Sequence, residues 1–163
     1  MTRLLALALA LSLGGCAVAG GAHPEASLYD PSADATEAFA DARARSTASG
    51  KPLLAVLGAN WCHDSRALAG WLETPRFRNL VANGFEIVFV DVGRPQSGEG
   101  RNMAVPAAFG FATLASTPAL LIVAPDGTLL NRETATKWGN AASRSEDAIY
   151  AYLARFAAHS PLR

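Results

Sequence analysis

The sequence predicts an α/β domain in which a mixed central sheet carries helices on both faces. Helical patterns alternate along the chain with short, continuously apolar segments, which are typical of strands buried on both faces. Near the C-terminal end, Pro125-Asp126-Gly127 joins two apolar segments. A tight turn of this kind predicts a hairpin and therefore an antiparallel strand in an otherwise parallel arrangement.

The composition agrees with one folded domain. Of the 163 residues, 50% are hydrophobic and 17% are charged, with 14 basic and 14 acidic side chains. This hydrophobic content excludes a disordered chain, and the zero net charge leaves no basic excess for binding nucleic acid. Two cysteines are too few for a disulfide-stapled scaffold.

Residues 1–15 have the pattern of a signal peptide. Arg3 precedes a ten-residue apolar run over residues 4–13, which is shorter than the roughly 20 residues of a bilayer span. Leu13-Gly14-Gly15-Cys16 resembles a bacterial lipobox, in which Cys16 receives the lipid and becomes the N-terminus. Two alternatives stay open: ordinary signal-peptidase cleavage after Ala17-Val18-Ala19, which would discard Cys16, and a buried N-terminal helix.

Lipidation of Cys16 implies an outer-membrane lipoprotein that faces the periplasm. Ala17 follows the anchor, whereas the resembled lipoproteins that stay in the inner membrane usually carry an Asp there. A soluble periplasmic or secreted protein is the alternative. Residues 16–32 are predicted to be the lipidated N-terminus and a tether, since they are small and turn-prone, and His23 is interpreted as solvated. The folded domain is expected over residues 33–160.

The first half of this domain is expected to be helix, strand, helix, helix and strand. Alanines and Phe39 recur at helical spacing before Gly50, with Ser32 or Asp34 as the helix cap. The runs LLAVL and FEIVFVDV are continuously apolar, as buried strands are. The expected ranges are 33–49, 53–57, 62–73, 75–81 and 85–92.

The second half is expected to contain a loop, a short helix, a hairpin and a final helix. The loop covers residues 93–100 and the short helix residues 102–109. The strand at 119–124 turns back into residues 128–130. Ser143-Arg144-Ser145-Glu146 has the spacing of a capping box, with Ser143 as the cap, and opens the last helix.

Cys62 is the cysteine expected to remain in the folded domain. It follows the first strand and opens a helix, where backbone N–H groups and the positive end of the helix dipole stabilise a thiolate. His63 would add to this effect and Asp64 would oppose it, so both are candidates for tuning the thiol. The plain alternative is an inert cysteine that packs as a small apolar residue.

Trp61-Cys62-His63-Asp64-Ser65 at a strand-to-helix junction, with Thr117-Pro118 before a later strand, resembles the thioredoxin family over roughly residues 33–158. The resemblance implies a thioredoxin-like three-layer fold with Cys62 as the nucleophile. It also implies a cis peptide bond at Pro118, and a substrate groove formed by Trp61, Thr117 and Pro118.

The sequence departs from the family pattern at three places. Ser65 occupies the position of the second, resolving cysteine, and a hydroxyl cannot attack a mixed disulfide. Val56 stands where thioredoxins often keep a buried acid. His63-Asp64 replaces a pair that is often Gly-Pro. This chain therefore cannot carry out the usual redox cycle, in which a second cysteine resolves the mixed disulfide.

With one sulfur, Cys62 can form a mixed disulfide and then needs an external thiol for release. The expected partners are protein or small-molecule thiols and disulfides, with Ser65 as a hydrogen-bond partner of the sulfur. A redox-inactive, membrane-anchored binding module is the main alternative. Glutathione-dependent peroxide reduction is disfavoured, because Ala59 stands where that activity calls for a threonine.

Neither a metal site nor a cofactor site is predicted. Cys62, His63 and Asp64 are adjacent and cannot easily close on one ion. The other histidines, His23 and His159, are assigned to the tether and to the C-terminus, far from Cys62 along the chain.

Overall fold

A three-stranded mixed sheet lies at the centre of the fold. The computed structural model describes residues 23–157, so the predicted signal peptide and Cys16 lie outside the described residues. The sheet has the order β2–β1–β5, with β2 parallel and β5 antiparallel to the central strand. The strands of the central sheet are β1 (Leu53–Gly58), β2 (Glu86–Asp91) and β5 (Ala119–Val123).

Helices and a small ribbon complete the described part of the chain. The ribbon, β3 (Gly93–Arg94) and β4 (Glu99–Gly100), lies in the segment predicted to be a loop. The helices are α1 (Ala35–Ser49), α2 (His63–Leu72), α3 (Pro75–Gly84), α4 (Ala104–Ala107) and α5 (Glu146–Ala157). Within residues 23–157, no helix combines the length and the apolar character needed to cross a membrane.

The side chains of β1 alternate between two hydrophobic clusters, because successive residues of a strand point to opposite faces. Leu53, Ala55 and Leu57 pack in the cluster that contains Ala35 and Ala42 of α1. Leu54 and Val56 pack in the other cluster, with residues of α2, α3 and α5. Helices therefore cover both faces of the sheet, which confirms the predicted three-layer α/β fold.

The ends of α1 follow their local sequence. Of the two candidate caps, Asp34 is the one used: its carboxylate accepts hydrogen bonds from the N–H groups of Thr36 and Glu37 at 2.9 and 3.0 Å. Gly50 ends the helix with a φ of 72°, a left-handed conformation that glycine adopts without steric cost.

The capping box predicted at Ser143 is wrong by two residues. Ser143 belongs to a 3₁₀ turn, Ala141–Ser143. The hydroxyl of Ser145 accepts the hydrogen bond from the N–H of Ala148 at 3.2 Å and caps α5. Two serines precede the helix, and tertiary packing of the 3₁₀ turn decides which of them is used.

The predicted hairpin forms, but its second strand is reduced to one bridge. Val123 pairs with Leu129 across the turn. Beyond this pair, the side chain of Asn131 takes over the role of a strand: its Oδ1 accepts from the N–H of Ile122 at 2.9 Å, and its Nδ2 donates to the carbonyl of Leu120 at 2.9 Å. The side-chain amide therefore shares the outer edge of β5 with the backbone of Leu130 and Ala135, which pair with the carbonyl of Ile122 and the N–H of Leu120.

The N-terminal segment differs from the tether interpretation over residues 23–32. Tyr29 is fully buried, and its backbone exchanges two hydrogen bonds with the side chain of Asn60, at 3.1 and 2.7 Å. The N–H of Ala26 donates to the carbonyl of Arg66 at 3.1 Å. The segment packs against α2 because burying the aromatic ring and pairing the backbone stabilise it there.

Candidate functional site

Cys62 lies between the end of β1 and the start of α2. It is the N-cap residue of α2, with extended backbone angles, and its side chain makes no hydrogen bond to the N–H groups of the first turn. The residue lies at the positive end of the helix dipole. The residue is 8% exposed. Its thiol donates a hydrogen bond to the carbonyl oxygen of Thr117 at 3.4 Å.

Thr117 and Pro118 form the opposite side of the site. The peptide bond between them is cis, as the sequence predicts. Gly139 packs closely against the residue before Thr117, since a Cβ on Gly139 would collide with the side chain of Ser116. Thr117 is buried, and its hydroxyl has no hydrogen-bond partner within residues 23–157.

Ser65 does not make the hydrogen bond that was expected with the sulfur of Cys62. Its side chain is fully buried, and its Oγ has no hydrogen-bond partner in the described part of the chain. The hydroxyl lies instead against Gly58 and Tyr29, where a Cβ on Gly58 would come within 2.7 Å of it. The helix places this residue on its inner face, so its side chain points into the interior.

Tyr29 forms the floor below this part of the site. Its hydroxyl donates a hydrogen bond to the carbonyl of Ser65 at 3.3 Å, and its ring packs edge-on against Phe89. Burial raises the pKa of Tyr29 well above its usual value. The sequence analysis missed this residue. The only sequence signal is Leu28-Tyr29, an apolar pair within an otherwise small and polar segment.

Trp61 lies at the rim, as expected for a residue of the groove. The ring is 43% exposed, and its Nε1 donates to the carbonyl of Gly93 at 3.0 Å. The guanidinium of Arg94 stacks over it at 4.9 Å from the ring centroid. A cavity of about 300 Å³ opens here and is also lined by Asp91 and Arg101, which form an ion pair at 3.5 Å.

Asp64 and His63 do not contact the sulfur that they were expected to tune. The carboxylate of Asp64 accepts a hydrogen bond from the N–H of Ala142 at 2.8 Å and so ties α2 to the 3₁₀ turn before α5. The ring of His63 faces away from Cys62 and towards the N-terminal segment.

His23, Glu25 and His63 form a cluster beside the start of α2. Nε2 of His23 is 3.1 Å from Nε2 of His63, and Nδ1 of His63 is 3.0 Å from Glu25. Arg66 donates to the other carboxylate oxygen of Glu25 at 2.8 Å and holds the pKa of Glu25 below its usual range. The interpretation of His23 as a solvated residue, remote from Cys62, is wrong because the N-terminal segment folds back.

Potential ligand atoms of these three residues all lie within 4.8 Å of one another. They are the residues of the described chain that could hold a metal ion.

Comparisons with known proteins identify similar chains. A family model described as thioredoxin-like matches residues 34–125. Among solved structures, the disulphide isomerase from Xylella fastidiosa Temecula1 is 34% identical, with a TM-score of 0.71. The similarity covers 80% of this chain and 96% of that chain. No curated protein matches the sequence.

Proposed function

Because the chain belongs to the thioredoxin-like family, we propose that it catalyses thiol–disulfide exchange through the single sulfur of Cys62. The observation that carries the proposal is the position of this sulfur at the start of α2, 3.4 Å from the carbonyl of Thr117 and beside the cis bond to Pro118. A helix N-terminus supplies the field that favours a thiolate.

The reaction consists of two exchanges with no net oxidation. The Cys62 thiolate attacks one sulfur of a substrate disulfide, forms a mixed disulfide with it and releases the other sulfur as a thiolate. An external thiolate then attacks the substrate sulfur of the mixed disulfide and returns Cys62 to its thiolate form. One disulfide is consumed and one is formed, as isomerisation or removal of a small-thiol adduct requires.

Ser65 has no part in the release step, because a hydroxyl does not displace a thiolate from a disulfide. Release therefore depends on the external thiol or on a second thiol of the substrate. On the substrate side, the proposed groove is formed by Trp61, Thr117 and Pro118. The backbone of Thr117 would align an extended substrate by strand-type pairing.

The test follows exchange between glutathione and a fluorescent peptide held in a mixed disulfide. We expect the wild-type protein to accelerate this exchange in proportion to its concentration, and Cys62→Ser to leave only the uncatalysed rate. Without glutathione, mass spectrometry should find a mixed disulfide between Cys62 and one of the two thiol components of the substrate. An equal rate for wild type and Cys62→Ser would refute the proposal. If that shared rate exceeded the uncatalysed rate, its source would be a group that both proteins retain, such as Cys16.

Ser65→Ala is the matched control for this experiment. The hydroxyl of Ser65 makes no hydrogen bond to the sulfur of Cys62, so removing it should leave the exchange rate within about twofold of wild type. A tenfold loss would instead mean that Ser65 assists the sulfur directly, as the sequence first suggested.

A second candidate is a redox-inactive binding module, and the 8% exposure of Cys62 favours it. A module keeps the groove but does not turn over. In the same assay it predicts no acceleration by the wild-type protein and no mixed disulfide at Cys62, so the two candidates are separated by one experiment.

We also propose that the protein is anchored in the outer membrane and faces the periplasm, through a lipid on Cys16. The support is the apolar run followed by Leu13-Gly14-Gly15-Cys16 and by Ala17. An oxidising compartment of this kind is where disulfides form and need exchange. Simple secretion after cleavage at Ala17-Val18-Ala19 is the alternative.

A further inference from the structure

The cluster of His23, Glu25 and His63 has no role in the proposed exchange reaction. Two of its members come from the N-terminal segment, and His63 is the first residue of α2. The two histidines are separated by 40 positions in the chain, and yet their Nε2 atoms lie 3.1 Å apart. Neither ring nitrogen of His63 faces Cys62.

The hydrogen-bond partners of both rings favour a proton on each Nδ1. Nδ1 of His63 is 3.0 Å from a carboxylate oxygen of Glu25, and Nδ1 of His23 is 3.4 Å from the carbonyl oxygen of Pro24. Since both oxygens only accept hydrogen bonds, each Nδ1 is placed to donate. Each Nε2 is then left with a lone pair, and the two lone pairs face the same point.

Two lone pairs at 3.1 Å repel each other unless a cation lies between them. A proton is one such cation and a metal ion is the other. Histidines that bind metals almost always donate their second ring N–H to a carboxylate or to a backbone carbonyl, and both arrangements occur here. For Zn²⁺ with bonds of about 2.0–2.1 Å, tetrahedral geometry places two ligand nitrogens about 3.3 Å apart.

We propose that His23 and His63 bind Zn²⁺ through their Nε2 atoms, and that Glu25 orients His63 and supplies negative charge. Water completes the coordination, or the carboxylate of Glu25 moves in as a third ligand, since one of its oxygens lies within 4.8 Å of a ring nitrogen of each histidine. Imidazole is a preferred ligand for zinc. The metal joins the N-terminal segment to the first turn of α2, independently of any reaction at Cys62.

Contacts on both sides of the cluster hold the ligands in place without the metal. The N–H of Ala26 donates to the carbonyl of Arg66 at 3.1 Å, and the backbone of Pro24 packs against Gly70, which has no room for a Cβ. The positive charge of Arg66 and the positive end of α2 oppose a cation. Affinity should therefore be lower than at structural zinc sites with four protein ligands.

Isothermal titration calorimetry of the full-length chain with Zn²⁺ tests the site. We expect His23→Ala and His63→Ala each to weaken zinc binding at least tenfold. Glu25→Gln should weaken it by about 10- to 100-fold, as is typical when the orienting partner of a ligand is changed. Glu73→Gln is the matched control: it removes the same charge at the other end of α2 and should bind zinc as wild type does.

An NMR titration that follows the ring nitrogens of the histidines gives an independent readout. The Nε2 signals of His23 and His63 should shift together as Zn²⁺ is added to the wild-type protein. The proposal is overturned if the double variant His23→Ala/His63→Ala binds zinc as tightly as wild type. It is also overturned if Cys62→Ser abolishes binding while the two histidine variants keep it, because the thiol is then the ligand.

Discussion

At the scale of single residues, Tyr29 joins the N-terminal segment to the floor of the site. Its ring is fully buried against Phe89, and its hydroxyl donates to the carbonyl of Ser65. Asn60 pairs with the backbone of Tyr29, so the residue two positions before Cys62 is held by the same contact. One tyrosine therefore positions both the segment and the loop that precedes the candidate nucleophile.

The raised pKa of Tyr29 predicts a loss of stability at alkaline pH. Burial keeps the phenol protonated in the folded protein, whereas in the unfolded chain the pKa of the phenol is at its usual value of 10.0. Its contribution to stability is fully present below pH 10 and is lost as the pH rises further towards the folded-state pKa. Chemical denaturation at several pH values should show this fall in the wild type and a shallower fall in Tyr29→Phe.

Tyr150→Phe is the control for this measurement, since that ring is partly exposed and packs beside Arg76 and Phe77. It should retain the wild-type dependence on pH. At neutral pH, Tyr29→Phe itself should lose about 1 kcal/mol, because the buried carbonyl of Ser65 loses its donor. A fall above pH 10 as steep as that of wild type would contradict the role assigned to Tyr29.

At the scale of secondary structure, Asn131 replaces a strand at the edge of β5. The side-chain amide of Asn131 satisfies the N–H of Ile122 and the carbonyl of Leu120, which an outer strand would pair through its backbone. The carbonyl of Ile122 and the N–H of Leu120 pair with the backbone of Leu130 and Ala135. Its Nδ2 also donates to the hydroxyl of Tyr152 in α5. The edge of the sheet and the last helix are therefore coupled through one buried amide.

Asn131→Ala should lower the free energy of unfolding by about 2–5 kcal/mol, because each buried polar group left unpaired costs about 1–3 kcal/mol. Urea denaturation measures the change. Asn83→Ala is the control, since its amide is exposed and donates only to the carbonyl of Asn79 within α3, and it should change stability by less than about 0.5 kcal/mol. A loss below 1 kcal/mol for Asn131→Ala would mean that the chain re-pairs this edge by backbone.

At the scale of the whole molecule, the domain begins earlier than the pattern of apolar segments indicates. The predicted boundary at residue 33 coincides with the start of α1, but residues 23–32 already contribute a core side chain and several hydrogen bonds. If the chain is lipidated at Cys16, residues 17–22 lie between the anchor and the described part of the chain.

The proposed lipid anchor makes a prediction about the mature chain. The intact mass of the protein extracted from membranes should equal residues 16–163 plus the acyl groups attached to Cys16, because the lipobox directs cleavage before that cysteine. Cys16→Ser should abolish the added mass and release the protein from the membrane. A mature chain that starts at Gly20 without added mass would rule out the anchor and leave simple secretion.

The sequence by itself determined the architecture, because apolar periodicity, glycines and helix caps act within a few residues of chain. It placed the helices and strands of the sheet and the turn at Gly127, and it narrowed the cap of α1 to Ser32 or Asp34. With the family resemblance, it also identified Cys62 and the cis peptide bond before Pro118. These are local signals, or motifs whose spacing the fold preserves.

Only the tertiary structure decided what surrounds the sulfur. His63 and Asp64 are adjacent to Cys62 in sequence, but a helix sends successive side chains in different directions, so their partners are remote residues. Tyr29 and Asn131 satisfy backbone groups far along the chain, which no local pattern encodes. The contact between His23 and His63 likewise forms because the N-terminal segment packs against α2, where the burial of Tyr29 holds the segment.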